Sequence, residues 1–565
     1  MSAVAWLGDT ALVVDVGDVS AAHRLAASVD RRRREVRAPG GIVDTVVGFH
    51  SVVVHLDPRA ERPDLVERWL AGLAAADADT GPHREGSPEH RTAIGAPSGG
   101  LHLDIPVTFD GPDLDEVAAM VGRPPGAVVE ALVGAELQVA FIGFAPGFPY
   151  LVGLPPELAS IPRRGSPRAA VPAGSVAVGG GFASIYPRST PGGWMLLGQT
   201  AVSLFDPERP PYARLSPGDT VRFTEAPVGA DAHPPHPSGR RRPLTAGGDR
   251  FVELLDPGLL SLVEDGGRSA CAAIGVPPAG PADSETMRLA NRLVGNPDRA
   301  ATIEVTAVGP RLRFTGDAHI GVVASAADGV EIRIDDRPVA AGAVSPVLDG
   351  QVITIGRVVS GLRAYVAVAG GFETPLVVGS RSTDVLTGLG PCPLAAGDRL
   401  AIGTPSRPHG QVLVPVGVTG GDRPAELRVI AGPHRHPAAN PTQLGAAAWT
   451  VGDKSNRIGV RLTRSPLPFA PYDADIPSVG MVTGAVQLPT DGNPIILGPD
   501  HATVGGYPVI ACVIAADLHI VGQLRPGDTV HFTTVDRMTA HSARLHRERM
   551  LDTSVTGWFP TATGT

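Results

Sequence analysis

The chain has 565 residues, which is enough for three or four domains at roughly 150 residues each. Hydrophobic residues make up 43% and charged residues 19%, a composition that supports several buried cores. The net charge of -9 excludes the globally basic surface that recruits nucleic acid or anionic membranes. With 70 glycines, 56 prolines and few aromatic residues, the composition indicates many short strands and turns.

The cysteines and the apolar runs argue against a disulfide-rich protein, a zinc protein and a membrane protein. Cys271, Cys392 and Cys512 are odd in number and far apart, so we expect neither a disulfide framework nor a zinc cluster. No apolar run approaches the roughly 20 residues of a membrane-spanning helix. Met1 is not followed by the basic and apolar regions of a secretory signal. These features predict a cytoplasmic protein with no membrane or nucleic-acid partner.

A single lysine, Lys454, excludes several kinds of site. A phosphate-binding P-loop requires Gly-Lys-Ser/Thr, whereas Lys454 follows Asp453. A biotin carrier requires a lysine to acylate in an Ala-Met-Lys-Met setting, which this chain does not contain. Any nucleotide or carboxyl chemistry must therefore use other residues or other chains.

The first 77 residues predict a small α+β domain. Residues 3–16 alternate as a strand, 19–36 read as a helix, 42–56 carry two β-branched runs, and 63–73 show helical spacing of apolar residues. The order β-α-β-β-α favours a layered domain of ferredoxin-like type.

The rest of the chain reads mainly as β-structure interrupted by two polar stretches. Residues 77–100 and 225–250 have the composition of linkers, and the latter stretch has the character of a fusion joint between two proteins. We predict β-rich domains over residues 101–224, 251–408 and 425–536, the middle one a sandwich or barrel with an amphipathic helix over 284–294. Residues beyond 536 read as a polar tail.

Two segments, residues 171–223 and 476–532, are blurred copies of one another. Thr190-x-Gly-Gly-Trp194 corresponds to Thr503-x-Gly-Gly-Tyr507, and each is followed at similar spacing by Pro-Gly-Asp-Thr-Val. The repetition predicts one β-rich domain type used twice. We expect the two copies to meet in a shared cleft bordered by arginines.

Several blocks carry a family resemblance. The segment FIGFAPGFPYLVGL (residues 141–154), the arginines of residues 162–168 and VPAGSV (171–176) resemble the B subunit of bacterial ATP-dependent 5-oxoprolinase. The segments 275–283, 289–297, 379–383, 455–457 and 476–532 resemble its C subunit. The same modules form the carboxyltransferase region of urea amidolyase and correspond to allophanate hydrolase subunits 1 and 2. The resemblance implies a natural B–C fusion with duplicated cyclophilin-like β-barrels, hence a mainly β fold with α+β parts.

The sequence departs from the family at several polar positions. Val133 stands where the family often carries histidine, Phe182-Ala183 where it often has Gln-Thr, and Ala502 where it often has glutamine. Polar groups that would contact substrate in relatives are thus missing from both copies.

Candidate binding residues fall in two loops. Arg163, Arg164 and Arg168 lie in a Gly/Pro-punctuated loop, and their planar guanidinium groups suit a carboxylate or phosphate. The alternative is that they form surface or interdomain ion pairs. A second polar loop carries the further candidates for substrate binding, Ser455, Asn456 and Arg457, and the second repeat adds Tyr507.

Asp500 and His501 are the candidate catalytic residues, as general base or acid. Adjacent residues of a strand point to opposite faces, so the two can cooperate only in a turn. Asp265 and Arg268 in the EDGGR turn, and Asp283 before a helix, are interpreted as turn and cap residues, with a role in the site as the alternative. We expect no metal site, because His434 and His436 have no third ligand nearby.

Three functions remain open at this point. The resemblance implies an enzyme component that, with ATP and the separate A subunit of 5-oxoprolinase, hydrolyses the small amide 5-oxoproline to glutamate. One alternative is a carboxyltransferase for urea or a related amide, served by biotin on another protein. The other alternative is a non-enzymatic regulatory module that binds a kinase.

Overall fold

The computed structural model describes most of the chain. The described residues are 3–35, 37–57, 59, 63–80, 100–227, 244–245, 248–326, 329–405, 411–412, 424–434, 441–446, 448–464 and 476–556. The predicted linkers fall largely outside them, and so does His436. Within the described residues no helix is long and apolar enough to cross a membrane.

The N-terminal domain is a four-stranded antiparallel sheet covered by two helices. Its elements are β1 (Ala3–Leu7), β2 (Ala11–Asp15), α1 (Val19–Arg34), β3 (Ile42–Val47), β4 (Ser51–Leu56) and α2 (Pro63–Thr80). The helix α1 begins at Asp18, whose carboxylate accepts the Ala21 N–H at 2.8 Å, and it buries Ala22, Leu25 and Val29 against the sheet.

Two predictions for this domain need correction. The strand predicted over residues 3–16 is a hairpin of β1 and β2, because Gly8 adopts a left-handed conformation that turns the chain. The sheet order is β1-β2-β4-β3, so the hairpin supplies the outer strand of a ferredoxin-like sheet. The helix α2 continues to Thr80, into the stretch that composition alone assigned to a linker.

The first β-rich domain is a seven-stranded sheet curled into a barrel. It contains β5 (His102–Val107), α3 (Leu114–Val121), α4 (Pro125–Val133), β6 (Leu137–Ile142), β7 (Pro149–Val152), α5 (Pro156–Ala159), β8 (Arg168–Val171), β9 (Ser175–Gly179), β10 (Phe182–Ile185), β11 (Thr190–Gly192), β12 (Met195–Gln199) and β13 (Thr220–Glu225). The sheet order is β12-β9-β10-β7-β6-β13-β5. Paired hydrogen bonds of 2.9 Å between Thr108 and Gln199 join its two edge strands.

The middle domain is a sandwich of two sheets with one helix. Its elements are β14 (Phe251–Asp256), β15 (Leu260–Glu264), α6 (Ser284–Leu293), β16 (Thr302–Thr306), β17 (Arg311–Thr315), β18 (Ala318–Ala324), β19 (Val330–Ile334), β20 (Arg337–Pro338), β21 (Val344–Val347), β22 (Val352–Val358), β23 (Arg363–Val368), β24 (Phe372–Glu373) and β25 (Arg399–Ile402). The sheets run β20-β19-β22-β17-β14-β25-β24 and β15-β16-β23-β18-β21. Asp283 caps α6 through the Thr286 N–H at 3.0 Å, as predicted.

The last β-rich domain is a closed seven-stranded barrel followed by a helix. The elements are β26 (Gln411–Val412), β27 (Ala425–Ala431), α7 (Pro441–Gly445), β28 (Trp449–Val451), β29 (Gly459–Thr463), β30 (Val479–Gly480), β31 (Ala485–Gln487), β32 (Ile495–Leu497), β33 (Val504–Gly505), β34 (Val509–Val513), α8 (Leu518–Val521), β35 (Thr529–Thr534), α9 (Arg537–Thr553) and β36 (Val555–Thr556). The polar tail predicted beyond residue 536 is wrong over α9, which Asp536 caps through the Thr539 N–H at 2.8 Å.

The two barrels have the same topology. From β12 the first runs β9, β10, β7, β6, β13, β5, and from β34 the second runs β31, β32, β29, β28, β35, β27. Each contains one parallel pair, β5 with β13 and β27 with β35, and each has a separate two-stranded ribbon, β8 with β11 and β30 with β33. The duplication read from the sequence is therefore confirmed strand by strand.

The N-terminal domain packs against both barrels. One continuous apolar cluster joins residues such as Val53 of its sheet, Phe141 of the first barrel and Val504 of the second. A Cβ at Gly143 would lie only 2.1 Å from Val504 Cγ2, so the barrels are in direct contact there. The two halves of the chain therefore fold into one packed body.

We predict that Gly143→Ala lowers stability by about 1–3 kcal/mol, because the added methyl group overpacks the contact with Val504. Adding Val504→Ala should recover part of that loss as a coupling energy in a double-mutant cycle. The midpoint of urea unfolding measures both. Gly126→Ala in α4 is the control, because its Cβ would meet nothing within 4 Å. Strict additivity of the two substitutions would contradict the contact.

Candidate functional site at the junction of the two halves

A cavity of about 680 Å³ lies where the N-terminal domain, the sandwich and the second barrel meet. His55 of β4, Arg268 after β15 and His501 after β32 are among its lining residues. None of the described residues of the first barrel lines it. The cleft expected between the two barrels is therefore replaced by a cavity that one barrel shares with two other domains.

A buried guanidinium group, that of Arg457, ties the second barrel to the sandwich beside this cavity. It donates to Asp500 through Nε at 2.9 Å and Nη2 at 3.0 Å, a bidentate pair within the barrel. Across the domain boundary it donates to Glu304 at 2.6 Å and lies 3.3 Å from Glu264. All four side chains are at most 2% exposed, so the low dielectric strengthens every interaction of the cluster.

Glu304 is the second centre of this cluster. Its carboxylate also accepts from Arg363 at 3.2 Å, from the Tyr365 hydroxyl at 2.7 Å and from the Ala282 N–H at 2.8 Å. Burial alone would raise the pKa of Glu304, but the charges of Arg457 and Arg363 outweigh it and hold the pKa below its usual range. Glu304 is therefore ionised and fully hydrogen-bonded.

Glu264 differs from its neighbours. Burial raises its pKa well above the ordinary value, and although Arg457 opposes that shift, the charges of Glu304 and Asp500 add to it. Neither of its carboxyl oxygens has a hydrogen-bond partner among the described residues. The Glu264 carboxyl group is consequently harder to ionise than that of Glu304, although both contact Arg457.

The EDGGR turn is held by a second loop. The Asp265 carboxylate accepts from the hydroxyls of Ser380 and Ser382, at 2.5 and 2.8 Å, and from the Arg381 N–H at 2.8 Å. The next charged residue, Arg268, is only 4% exposed. The predicted turn role of Asp265 thus agrees with the structure, and the turn delivers Arg268 to the cavity.

Two neutral imidazoles line the cavity from opposite domains. Burial lowers the pKa of both His55 and His501 to about 4. The His501 Nδ1 lies 2.8 Å from the Ala502 carbonyl oxygen, so Nδ1 carries the proton and Nε2 is left as an acceptor. Neither Nε2 has a hydrogen-bond partner among the described residues. Both rings are neutral at neutral pH and take up a second ring proton only in acid.

The structure gathers most of the second group of predicted residues at this cavity. Ser455, Asn456, Arg457 and His501 line it. Asp500 and His501 do lie in a turn, but no hydrogen bond joins them, because Asp500 is occupied by Arg457. Asp500 therefore positions Arg457. The catalytic roles of Asp500 and His501 stay predictions.

The arginines of the first barrel lie elsewhere. Arg164 and Arg168 both donate to Asp113, at 3.1 and 2.6 Å, so they close the barrel wall through ion pairs. Arg163 is exposed beside the aromatic cluster of the same barrel. Tyr507 is 41% exposed and does not line the cavity. Substrate binding by these four residues stays a prediction.

The departures from the family fall mostly away from the cavity. Val133 ends α4, and Phe182 stacks near Trp194 with ring centroids 6.4 Å apart. Ala183 is buried in the first barrel. Only Ala502 adjoins the cavity, and it contributes its backbone carbonyl to His501.

Sequence reasoning missed several residues of the site, among them His55, Glu264, Glu304 and Arg299. His55 reads as one position of an apolar strand, and Glu304 as one position of another. Nothing in either strand distinguishes an imidazole that lines a cavity, or a carboxylate buried beside it, from one that faces water. Only the packing of three domains brings them together.

We predict that Arg457→Met destabilises the protein by about 3–5 kcal/mol, because it leaves buried carboxylates without their counter-charge. Arg461→Met, at an exposed position of β29, is the matched control. Thermal and urea unfolding measure the difference. Equal stability of the two variants would show that the cluster contributes nothing net.

The histidines predict the direction of acid sensitivity. Below about pH 6.5 the unfolded chain takes up protons that folded His55 and His501 accept only near pH 4, so stability falls as pH is lowered through that window. His501→Gln should reduce the fall by at most about 3 kcal/mol. Urea midpoints between pH 7 and 4.5 measure it, with the exposed His102→Gln as control. An unchanged pH dependence in His501→Gln would be the contrary result.

Two family models match the chain. The model for carboxyltransferase domain subdomains C and D matches residues 2–215, and that for subdomains A and B matches residues 274–534. Together they cover the N-terminal domain and first barrel, then most of the sandwich and the second barrel.

Relatives divide the chain in the same way. The 5-oxoprolinase C subunit of Escherichia coli (strain K12) is 35% identical over 307 residues, which is 54% of this chain and 97% of that protein. The 5-oxoprolinase B subunit of Escherichia coli O157:H7 is 41% identical over 186 residues, 32% of this chain and 77% of that protein. Urea amidolyase of Lachancea kluyveri is 30% identical over 55% of this chain, but the match spans only 18% of that enzyme.

A solved structure covers nearly the whole chain. The crystal structure of TTHA0988 superposes with a TM-score of 0.77 at 32% identity and covers 93% of this chain and 99% of its own. The arrangement of barrels and sandwich is thus shared by that protein. The chain belongs to the carboxyltransferase-domain family that includes the B and C subunits of 5-oxoprolinase, with a B-like part followed by a C-like part in one polypeptide.

Proposed function

We propose that the chain is the combined B and C component of an ATP-dependent 5-oxoprolinase, which with a separate A subunit hydrolyses 5-oxo-L-proline to L-glutamate. The observation that carries the proposal is the cavity. Its wall includes His55 from the B-like half and both Arg268 and His501 from the C-like half. Neither half alone encloses it, which gives a physical reason for joining the two in one chain.

The cavity suits a small polar amide. His55 and His501 line its wall as neutral polar rings, and arginines beside them match the carboxylate of a lactam acid. A pKa of about 4 makes His501 a hydrogen-bond acceptor rather than an efficient proton carrier at neutral pH. In this proposal the chain binds and orients the amide, and the Arg457 cluster fixes the wall against which it lies.

The residues of the cavity do not fit a nucleotide. The N-terminus of α6 borders it, but Asp283 already caps that helix, and a carboxylate there repels phosphate. No lysine lines the cavity among the described residues. We therefore propose that the A subunit binds the ATP, and that this chain needs that partner for activity.

A second candidate is a carboxyltransferase component that acts on urea or a related amide. The carboxyltransferase family models and the urea amidolyase match favour it. Carboxybiotin would have to arrive on another protein, because Lys454, the only lysine, lies in an exposed turn without a carrier motif. The two candidates differ in the partner that restores activity.

The test is ADP release with the purified A subunit of 5-oxoprolinase and 5-oxo-L-proline, each added and omitted. We expect ADP and glutamate only when all components are present. His55→Gln should lower kcat/KM at least about tenfold, because a group contacting the amide is altered, while exposed His102→Gln should not. If the complete mixture releases no substrate-dependent ADP, but a biotin carboxylase and carrier restore carboxylation of urea, the second candidate replaces the first.

A further inference from the structure

Arg268 is a buried cation without a buried anion in contact with it. Its Nε donates to the Val377 carbonyl at 3.1 Å and its Nη2 to the Ser382 carbonyl at 2.8 Å. Its Nη1 is buried and has no partner among the described residues, and no described carboxylate lies within 4.0 Å of the guanidinium. Burial lowers the pKa of Arg268, and the carboxylates of Asp384, Asp265, Glu264 and Asp500 oppose that shift from a distance. The guanidinium group therefore lacks a carboxylate in direct contact, and a bound anion would supply one.

A second guanidinium group, that of the exposed Arg299, packs against the same turn. Arg299 packs flat on Gly266, where a Cβ would stand 2.4 Å from its Nε. Its Nη2 donates to the Gly267 carbonyl at 3.1 Å, and no ion pair of Arg299 occurs among the described residues. Gly266 has an ordinary backbone conformation, so the close approach of Arg299 is what requires glycine there.

The other arginines that line the cavity form ion pairs with carboxylates. Arg457 and Arg363 pair with Glu304, and Arg288 pairs with Asp298 and Glu548 at 3.0 and 2.8 Å. Arg59 lies 3.8 Å from Asp298. Arg268 and Arg299 are thus the lining arginines left without a carboxylate in the described part of the chain.

The turn that carries them is held in a strained shape. Ala270 and Ala279, which both line the cavity, have positive φ values of 58° and 47°. Gly267 has φ 72°, and a Cβ there would lie 2.6 Å from the Pro278 carbonyl oxygen, so the loops 266–270 and 278–280 are locked together. Non-glycine residues in this region cost about 1–3 kcal/mol each and persist where the surroundings enforce them. The position of Arg268 is therefore preorganised, and Arg299 packs against a fixed turn.

We propose that Arg268, which follows the Gly266–Gly267 turn, and Arg299, which packs against that turn, bind the carboxylate of the small amide in the cavity and set its specificity. This inference rests on the proposed function only for the identity of the amide. Planar guanidinium forks match a carboxylate. Asp44 and Asp57 line the same cavity, and their charges disfavour a polyanion such as a triphosphate.

The site explains a choice between the two candidate substrates. Urea has no carboxylate and would leave both guanidinium groups unpaired, whereas 5-oxoproline places a carboxylate next to its lactam N–H. A site built for a charged group rejects a ligand that lacks it, because the buried Arg268 is then left without an anion in contact. The turn is in this sense the specificity element of the cavity.

The test is calorimetric titration of the full chain with 5-oxo-L-proline and with 2-pyrrolidinone, the same lactam without the carboxylate. We expect the wild type to prefer the acid, and Arg299→Gln to weaken its binding about tenfold or more without changing pyrrolidinone binding. Gly266→Ala should act in the same direction, because it displaces Arg299. Arg299→Lys should restore part of the affinity, since the charge is kept.

Arg337→Gln, at an exposed position of β20, is the matched control and should bind as the wild type does. Arg268→Gln should abolish the preference for the acid; if that variant fails to fold, the Arg299 and Gly266 variants still decide. Equal binding of 5-oxo-L-proline to wild type, Arg299→Gln and Gly266→Ala would overturn the site and leave the proposed function standing. Titration with acetate tests the carboxylate site without the lactam. If acetate binds and Arg299→Gln weakens that binding, while 5-oxo-L-proline does not bind, the site is supported and the proposed substrate is wrong.

Discussion

The contact of Arg457 with Glu304 is the interaction on which the rest of the site depends. One guanidinium group belongs to the second barrel, and the carboxylate belongs to the sandwich. Because both are removed from water, each is stable only while the other is present, and the domains cannot separate without exposing charges that the fold has arranged in pairs. The cavity wall is therefore set by electrostatics as much as by apolar packing.

The duplicated barrel shows that one topology can serve two different purposes. The first barrel uses its arginines and Asp113 to close its own wall, whereas the second uses Arg457 and Asp500 to reach another domain. Because the strand order is the same, the two barrels have loops at corresponding positions. The domains that pack against each barrel determine which of these loops border the cavity. The position of the cavity follows the domain interface rather than the barrel topology.

The turn from Asp265 to Arg268 connects the local chemistry with the global fold. The Asp265 carboxylate accepts hydrogen bonds from hydroxyl and backbone donors of the loop 377–382. Two carbonyl groups of that loop accept hydrogen bonds from Arg268. Carbonyl groups orient a guanidinium without neutralising it. The arrangement leaves positive charge at the wall of a cavity that two neutral imidazoles also line.

The sequence by itself determined the mainly β fold, the duplication, the helix cap at Asp283 and the family, because repeats, periodicities and caps are written in neighbouring residues. It also singled out Arg457 and His501, which stand in distinctive polar loops. Only the tertiary structure decided that His55 and Glu304, from strands far apart in the chain, belong to one site. Whether two residues meet across a domain boundary depends on how the domains pack, and local sequence patterns do not encode that packing.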